Sequence, residues 1–155
     1  MRLMVLSIVA ALAAATPALA DDAGGQGRVE LRTGVTWPDG QSAKGEIGAA
    51  AGYDWNLGSN AFFGVEQSVD KTLASGEKVR WGTSGRIGAK LGAADKLYAT
   101  GGYAYGKGPD APTVGAGWEH GFSSKLYGKV EYKHFFNEDN ARHSNAALVG
   151  MGVHF

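Results

Sequence analysis

The sequence predicts an all-β fold, an eight-stranded antiparallel up-and-down β-barrel that crosses a membrane, and three observations carry that expectation. The chain opens on a leader for export. Eight later segments alternate apolar and polar residues with a period of two. Aromatic residues gather near the ends of those segments, and the chain stops on Phe155 within the last of them.

The leader reading rests on the first twenty residues. Met1 and Arg2 precede the apolar run Leu3 to Ala15, and Ala18-Leu19-Ala20 stands ahead of Asp21 and Asp22, the three-part layout of a secretory signal peptide. A membrane-crossing helix needs about 20 apolar residues, and Pro17 interrupts this run too early. We therefore expect residues 1–20 to be cleaved and residues 21–155 to form one domain.

Composition narrows the function classes. There is no cysteine, which excludes a disulfide framework, a thiolate metal site and a cysteine nucleophile. The 15 Lys and Arg, one of them in the leader, face 15 Asp and Glu, so no basic field invites nucleic acid. The 25 glycines show no collagen-like period and all lie after the leader.

Side chains of a strand point to opposite faces in turn, so alternation identifies strands and separates their faces. From Arg28 to Trp37, Val29, Leu31, Thr33, Val35 and Trp37 alternate with Arg28, Glu30 and Arg32. Pro38-Asp39-Gly40 marks a turn. A second segment sets Ile47, Ala49, Ala51, Tyr53 and Trp55 against Lys44, Glu46 and Asp54, and the stretch Asn56 to Asn60 reads as a tight turn. A third sets Ala61, Phe63, Val65 and Val69 against Phe62, Glu66 and Asp70, before a loop at residues 71–77.

The fourth segment alternates Val79, Trp81, Thr83, Ile87, Ala89 and Leu91 with Arg80, Arg86 and Lys90, and a turn spans Gly92 to Lys96. The fifth carries Leu97, Ala99, Tyr103 and Tyr105. After a loop from Lys107 to Pro112, the sixth carries Val114, Ala116, Trp118 and Phe122, with His120 out of place on its apolar face. Beyond a turn from Gly121 to Lys125, the seventh sets Leu126, Val130, Tyr132 and Phe136 against Tyr127, Lys129, Glu131 and Lys133. A polar loop at residues 137–144 precedes the last segment, in which Ala147, Val149, Met151, Val153 and Phe155 oppose Gly150, Gly152 and His154.

Eight such strands suit either a soluble barrel or sandwich with the apolar face inward, or a membrane barrel with it outward. Export and the aromatic strand ends favour the membrane barrel. Its short turns at residues 56–60, 92–96 and 121–125 would then be periplasmic, with both termini, and the longer connections would face outward. Trp37, Trp81, Tyr105 and Phe136 would form an outer girdle and Tyr53, Trp55, Phe63, Phe122 and Phe155 an inner one.

Eight strands enclose only enough space for side chains. The inward set therefore predicts a lumen filled by an ionic network of Arg28, Glu30, Arg32, Lys44, Glu46, Glu66, Arg80, Arg86, Lys90, Glu119, Lys129 and Glu131, joined by Asp54, Asp70 and Lys133. Phe62, Tyr98 and Tyr127 fall on the polar face close to periplasmic turns. Either they form an aromatic layer closing that end or they are filler in the taper.

The strings Gly52-Tyr53-Asp54-Trp55-Asn56-Leu57-Gly58, Phe63-Gly64-Val65-Glu66, Leu97-Tyr98-Ala99 with Gly101-Gly102-Tyr103, and Gly128-Lys129-Val130-Glu131-Tyr132 carry a resemblance. Over residues 27–155 the chain resembles the small eight-stranded outer-membrane barrels, OmpA-like and OmpX-like, and in particular the opacity-type surface proteins. The resemblance implies a fold and a location more than an activity. It also implies that Phe155, with Val153, Met151 and Val149, is the signal read by the barrel-assembly machinery. Members of this size often lack a catalytic role and act in envelope integrity, adhesion or host contact; the short outer loops here speak against a dedicated adhesin.

Some eight-stranded barrels remove acyl chains from lipid A with a His and a Ser on a late strand that are separated by one intervening residue, which puts both on its lipid-facing side. His143-Ser144-Asn145-Ala146 is similar, but its His and Ser are adjacent, and alternation sends them to opposite faces. His120, His134, His143 and His154 show no metal-ligand spacing. Gly115-Ala116-Gly117 lacks the helix and acidic residue of a nucleotide loop.

The expectation is a monomeric, non-enzymatic outer-membrane barrel of a Gram-negative bacterium, surrounded by membrane lipid and lipopolysaccharide and requiring no cofactor. A narrow, low-conductance channel is the alternative, and a lipid A-modifying enzyme a third.

Overall fold

In the computed structural model, residues 24–74, 76, 79–106, 110–138 and 142–155 are described, and the expected leader lies outside them. Among the described residues every regular element is a strand: β1 (Gly25–Pro38), β2 (Lys44–Leu57), β3 (Ala61–Thr72), β4 (Val79–Leu91), β5 (Asp95–Gly106), β6 (Ala111–Gly121), β7 (Leu126–Phe135) and β8 (Ser144–His154). Each pairs antiparallel with the next, and β1 pairs with β8, so the sheet closes into a barrel without a free edge. Phe155, just past β8, completes the seam: its N–H donates to Gly27 O at 3.0 Å and Gly27 N–H donates to Phe155 O at 2.9 Å.

The alternation resolves into an inside and an outside. Leu31, Ile47, Val65, Ile87, Leu97, Val114, Val130, Val149 and Met151 are exposed on the outer surface, whereas Arg28, Glu30, Arg32, Glu66, Arg86, Glu119, Lys129 and Glu131 are buried within. A soluble sandwich would place these sets the other way round. An apolar band encircling the barrel far exceeds the patches that water-soluble monomers tolerate.

Strand ends differ from expectation in two places that bear on the lumen. β5 begins at Asp95, so the β4–β5 turn is only Gly92 to Ala94 and Lys96 lies inside a strand. β6 begins at Ala111 and ends at Gly121, leaving Phe122 just beyond it. The tight turns use glycine where the backbone goes left-handed, with φ of 70° at Gly58 and 82° at Gly92.

Candidate functional site: an ion-paired lumen

Because inward positions alternate along every strand, each strand contributes side chains to one enclosed column. β1 gives Arg28, Glu30 and Arg32; β2 gives Asp54; β3 gives Glu66 and Asp70; β4 gives Arg86; β5 gives Lys96; β6 gives Glu119; β7 gives Lys129, Glu131 and Lys133; β8 gives His154.

One group centres on Glu66. Arg28 Nη1 donates to Glu66 Oε2 at 2.7 Å and Arg32 Nη1 to Glu66 Oε1 at 3.1 Å. Arg32 also reaches Asp70, with Nε 2.7 Å from Oδ1. Lys129 Nζ lies 2.6 Å from Glu30 Oε1 and 3.5 Å from both Glu66 and Glu131, while Lys133 Nζ lies 3.0 Å from Glu131 Oε1.

The second group centres on Arg86 and Glu119. Arg86 grips Asp54 through Nε, at 2.8 Å, and Nη2, and donates from Nη1 to Glu119 Oε2 at 3.1 Å. Lys96 Nζ and His154 Nε2 each stand 3.1 Å from Glu119 Oε1. Arg28 Nε, 3.5 Å from Asp54 Oδ1, links the two groups.

The cations Arg28, Arg32, Arg86, Lys96, Lys129 and Lys133 thus meet an equal number of carboxylates, Glu30, Asp54, Glu66, Asp70, Glu119 and Glu131. Such balance is what burial demands, since an unpaired charge in this column would cost several kcal/mol, on the order of 3–5 when one partner is removed.

Beneath the charges, toward the end carrying both termini and the short turns, Phe62, Tyr98 and Tyr127 face inward and are 1%, 2% and 0% exposed. Tyr98 OH donates to Glu131 Oε2 at 2.6 Å, and Tyr127 OH to Glu30 Oε2 at 2.8 Å. Arg86 lies over the rings of Phe62 and Tyr98, at 5.2 and 4.8 Å from their centroids, a cation–π arrangement. His154 stacks on Tyr127 at 4.3 Å.

Glycine makes room for this layer. A Cβ on Gly88 would stand 2.8 Å from Phe62, one on Gly152 would stand 2.6 Å from Tyr127, and one on Gly117 would run into the Tyr98 ring.

Toward the opposite end the lumen changes character. Ala104, Ala111, Phe135, Ala146 and Leu148 form an apolar cluster on the β5–β8 wall. Beside it lies a cavity of about 20 Å³, room for one water molecule, lined by Glu46, Asp70, Arg80, Lys133 and Phe135 among others.

Three expected members stand toward the ends of the lumen. Arg80 stands over the Phe135 ring at 4.7 Å from its centroid and lines the small cavity with Glu46 and Asp70. Lys44, the first residue of β2, is half-buried at the rim. Lys90, expected inside, needs correction: it lies at an exposed strand end, where Nζ donates to Asn56 Oδ1 at 2.6 Å. β4 ends one residue later, and the long lysine side chain reaches the mouth.

Conversely, Lys96 and His154 belong to the network without having been assigned to it. Lys96 was hidden by the expected turn, and His154 showed only its inward parity. Glu46 is buried and lines the small cavity together with Asp70, Arg80 and Lys133.

On the outside, the misplaced His120 has a partner: its Nδ1 lies 2.8 Å from Asp95 Oδ1 on the neighbouring strand. His143 and Ser144 part company at the start of β8. Ser144 is buried, its Oγ accepting from Asn137 Nδ2 at 3.2 Å, whereas His143 is exposed and packs by His134 and Phe136. Among the described residues no group of three or more His, Asp or Glu side chains is placed to hold a metal ion.

Comparison with known proteins bears on this architecture. The family model described as outer membrane protein beta-barrel domain matches residues 6–155. No curated protein matches the sequence. Among solved structures, the N-terminal β-barrel domain of Pseudomonas aeruginosa OprF superposes with a TM-score of 0.63 at 14% identity, covering 84% of this chain and 99% of that one. Ail, the attachment invasion locus protein of Yersinia pestis, gives 0.61 at 13% identity, covering 85% and 99%. The outer membrane enzyme PagL gives 0.55 at 12% identity, covering 81% and 98%. At these identities the likeness concerns the fold.

Proposed function

Because the chain belongs to the outer-membrane β-barrel family and so resides in the outer membrane, we propose that it acts there as a monomeric, non-enzymatic barrel, a structural and surface component of the envelope rather than a conduit. Residues 1–20 direct export and are removed. The termini and short turns face the periplasm, following the usual asymmetry of bacterial barrels. Phe155, Val153 and Met151 present the assembly signal to the barrel-assembly machinery, and lipopolysaccharide and phospholipid surround the apolar band.

One observation carries this reading: the buried, charge-balanced network draws on all eight strands and is underlain by Phe62, Tyr98 and Tyr127. Opening a path through it would separate paired charges in a confined, poorly hydrated space, which is costly. The opposite-facing His143 and Ser144 support the non-enzymatic part. Planar-bilayer recording on the folded barrel tests the proposal. A silent bilayer is expected, and discrete conductance steps would replace this reading with a narrow channel. Lipid A of unchanged mass on expression is the companion result, and loss of an acyl chain would make the protein an enzyme.

A further inference from the structure

Asp95 and His120 form a polar pair on the outer surface. Asp95 opens β5, lies directly across from His120 of β6 in the strand register, and follows the Gly92 to Ala94 turn. Its Oδ1 is held twice: His120 Nδ1 lies 2.8 Å away, and Trp118 Nε1 donates at 3.0 Å. The His120 ring is flanked by Trp118 and Phe122, at centroid distances of 5.8 and 5.4 Å. The carboxylate and imidazole nevertheless remain accessible, at 32% and 40% side-chain exposure. Asp95 Oδ2 and His120 Nε2 make no hydrogen bond to a described residue.

In a membrane barrel this strand-end position is the headgroup level, where indole rings settle. The arrangement presents a fixed carboxylate oxygen, an imidazole edge and an indole face side by side, over the exposed apolar side chains of Leu97 and Phe122. A phosphoglycerol headgroup offers the carboxylate no cation and repels it. A choline headgroup brings a cation without an N–H. An ethanolamine headgroup brings an ammonium that can donate to Oδ2 and lie against the indole, with its phosphate one short linker away beside the imidazole edge.

We propose that Asp95, His120 and Trp118 form a binding site for the phosphoethanolamine headgroup of a bilayer phospholipid. The site rests on the membrane-barrel reading and adds a lipid preference to it.

The test is side-chain NMR of the folded barrel in detergent micelles, following the Trp118 indole N–H and the His120 ring while short-chain phosphatidylethanolamine, phosphatidylcholine or phosphatidylglycerol is added. Phosphatidylethanolamine should give saturable shifts, with the other two about tenfold weaker, the effect of losing a charge-assisted hydrogen bond. Asp95→Asn should abolish the preference while the barrel keeps its boiling-dependent gel mobility. His120→Gln, a second variant at the same exposed rim, should weaken it. Equal shifts with all three lipids, or a preference that survives Asp95→Asn, would overturn the headgroup assignment alone. A wild-type chain without boiling-dependent mobility would overturn the membrane reading and the site with it.

Discussion

Arg28 of β1 and Glu66 of β3 stand 38 residues apart in sequence and 2.7 Å apart in the lumen, on strands that are not neighbours in the sheet. Glu66 also faces Arg32, Lys129 and Lys133, so four cations converge on one carboxylate from β1 and β7. Glu66→Gln should therefore destabilise the barrel by about 3–5 kcal/mol, the cost of leaving buried charge uncompensated. The measurement is the urea midpoint of the folded form on unboiled gels; a midpoint like wild type would show that the cations find other partners.

Lys90 provides the contrast. Its ammonium donates to Asn56 at an exposed strand end, and exposed polar pairs are worth little. Lys90→Met should move stability by less than about 0.5 kcal/mol. A loss comparable to that of Glu66→Gln would return Lys90 to the lumen network.

Two pairs of glycines separate crowding from backbone effects. Gly117→Ala and Gly152→Ala place a methyl against Tyr98 and Tyr127 and should each cost about 1–3 kcal/mol, the range for overpacking. Gly85 and Gly101 face outward, where a methyl would meet nothing nearer than 3.8 Å, and alanine there should be close to neutral. Thermal midpoints of the folded barrel in one detergent compare all four.

The aromatic layer can be tested as a barrier. Tyr98→Ala combined with Tyr127→Ala removes two rings and the hydrogen bonds to Glu131 and Glu30. Brief conductance steps should appear in planar bilayers where the wild-type barrel is silent. A silent double variant would assign the barrier to the charged column alone.

Export and assembly yield a separate expectation. The mature protein recovered from outer membranes should begin at Asp21 by mass spectrometry. Phe155→Ala should reduce the folded fraction in cells while leaving refolding from urea into detergent unchanged, since the detergent reaction needs no assembly machinery. An equal defect in both would make Phe155 a packing residue of the seam, where its ring lies against Gly27.

The sequence made the strands and their faces legible because parity alone decides them: Leu31 and Arg32 must part, as must Val130 and Glu131. Partnership was not legible. Which cation meets which carboxylate depends on the stagger that closes β1 onto β8, and alternation within a strand carries no information about that offset. Lys90 and Lys96 show the limit. Both stand near the same turn with inward parity, and only the turn's true length, Gly92 to Ala94, puts Lys96 on Glu119 and Lys90 at the mouth. The same shortened turn explains His120, an anomaly on an apolar face until Asp95 is placed beside it.

Closure of the first strand onto the last also sets an order of events. Glu30 of β1 is matched by Lys129 and Tyr127 of β7, and Tyr98 of β5 by Glu131 of β7. An intermediate holding only the earlier strands would carry Glu30 without Lys129, its nearest cation, leaving it the longer contacts of 3.7 and 3.9 Å to Arg28 and Arg32 of its own strand. Entry by one hairpin at a time therefore leaves the carboxylates of β1 and β3 short of the lysines that β7 supplies. The charges that fill the finished lumen thus favour a nearly complete cylinder over a fragment, which would carry some of them unpaired.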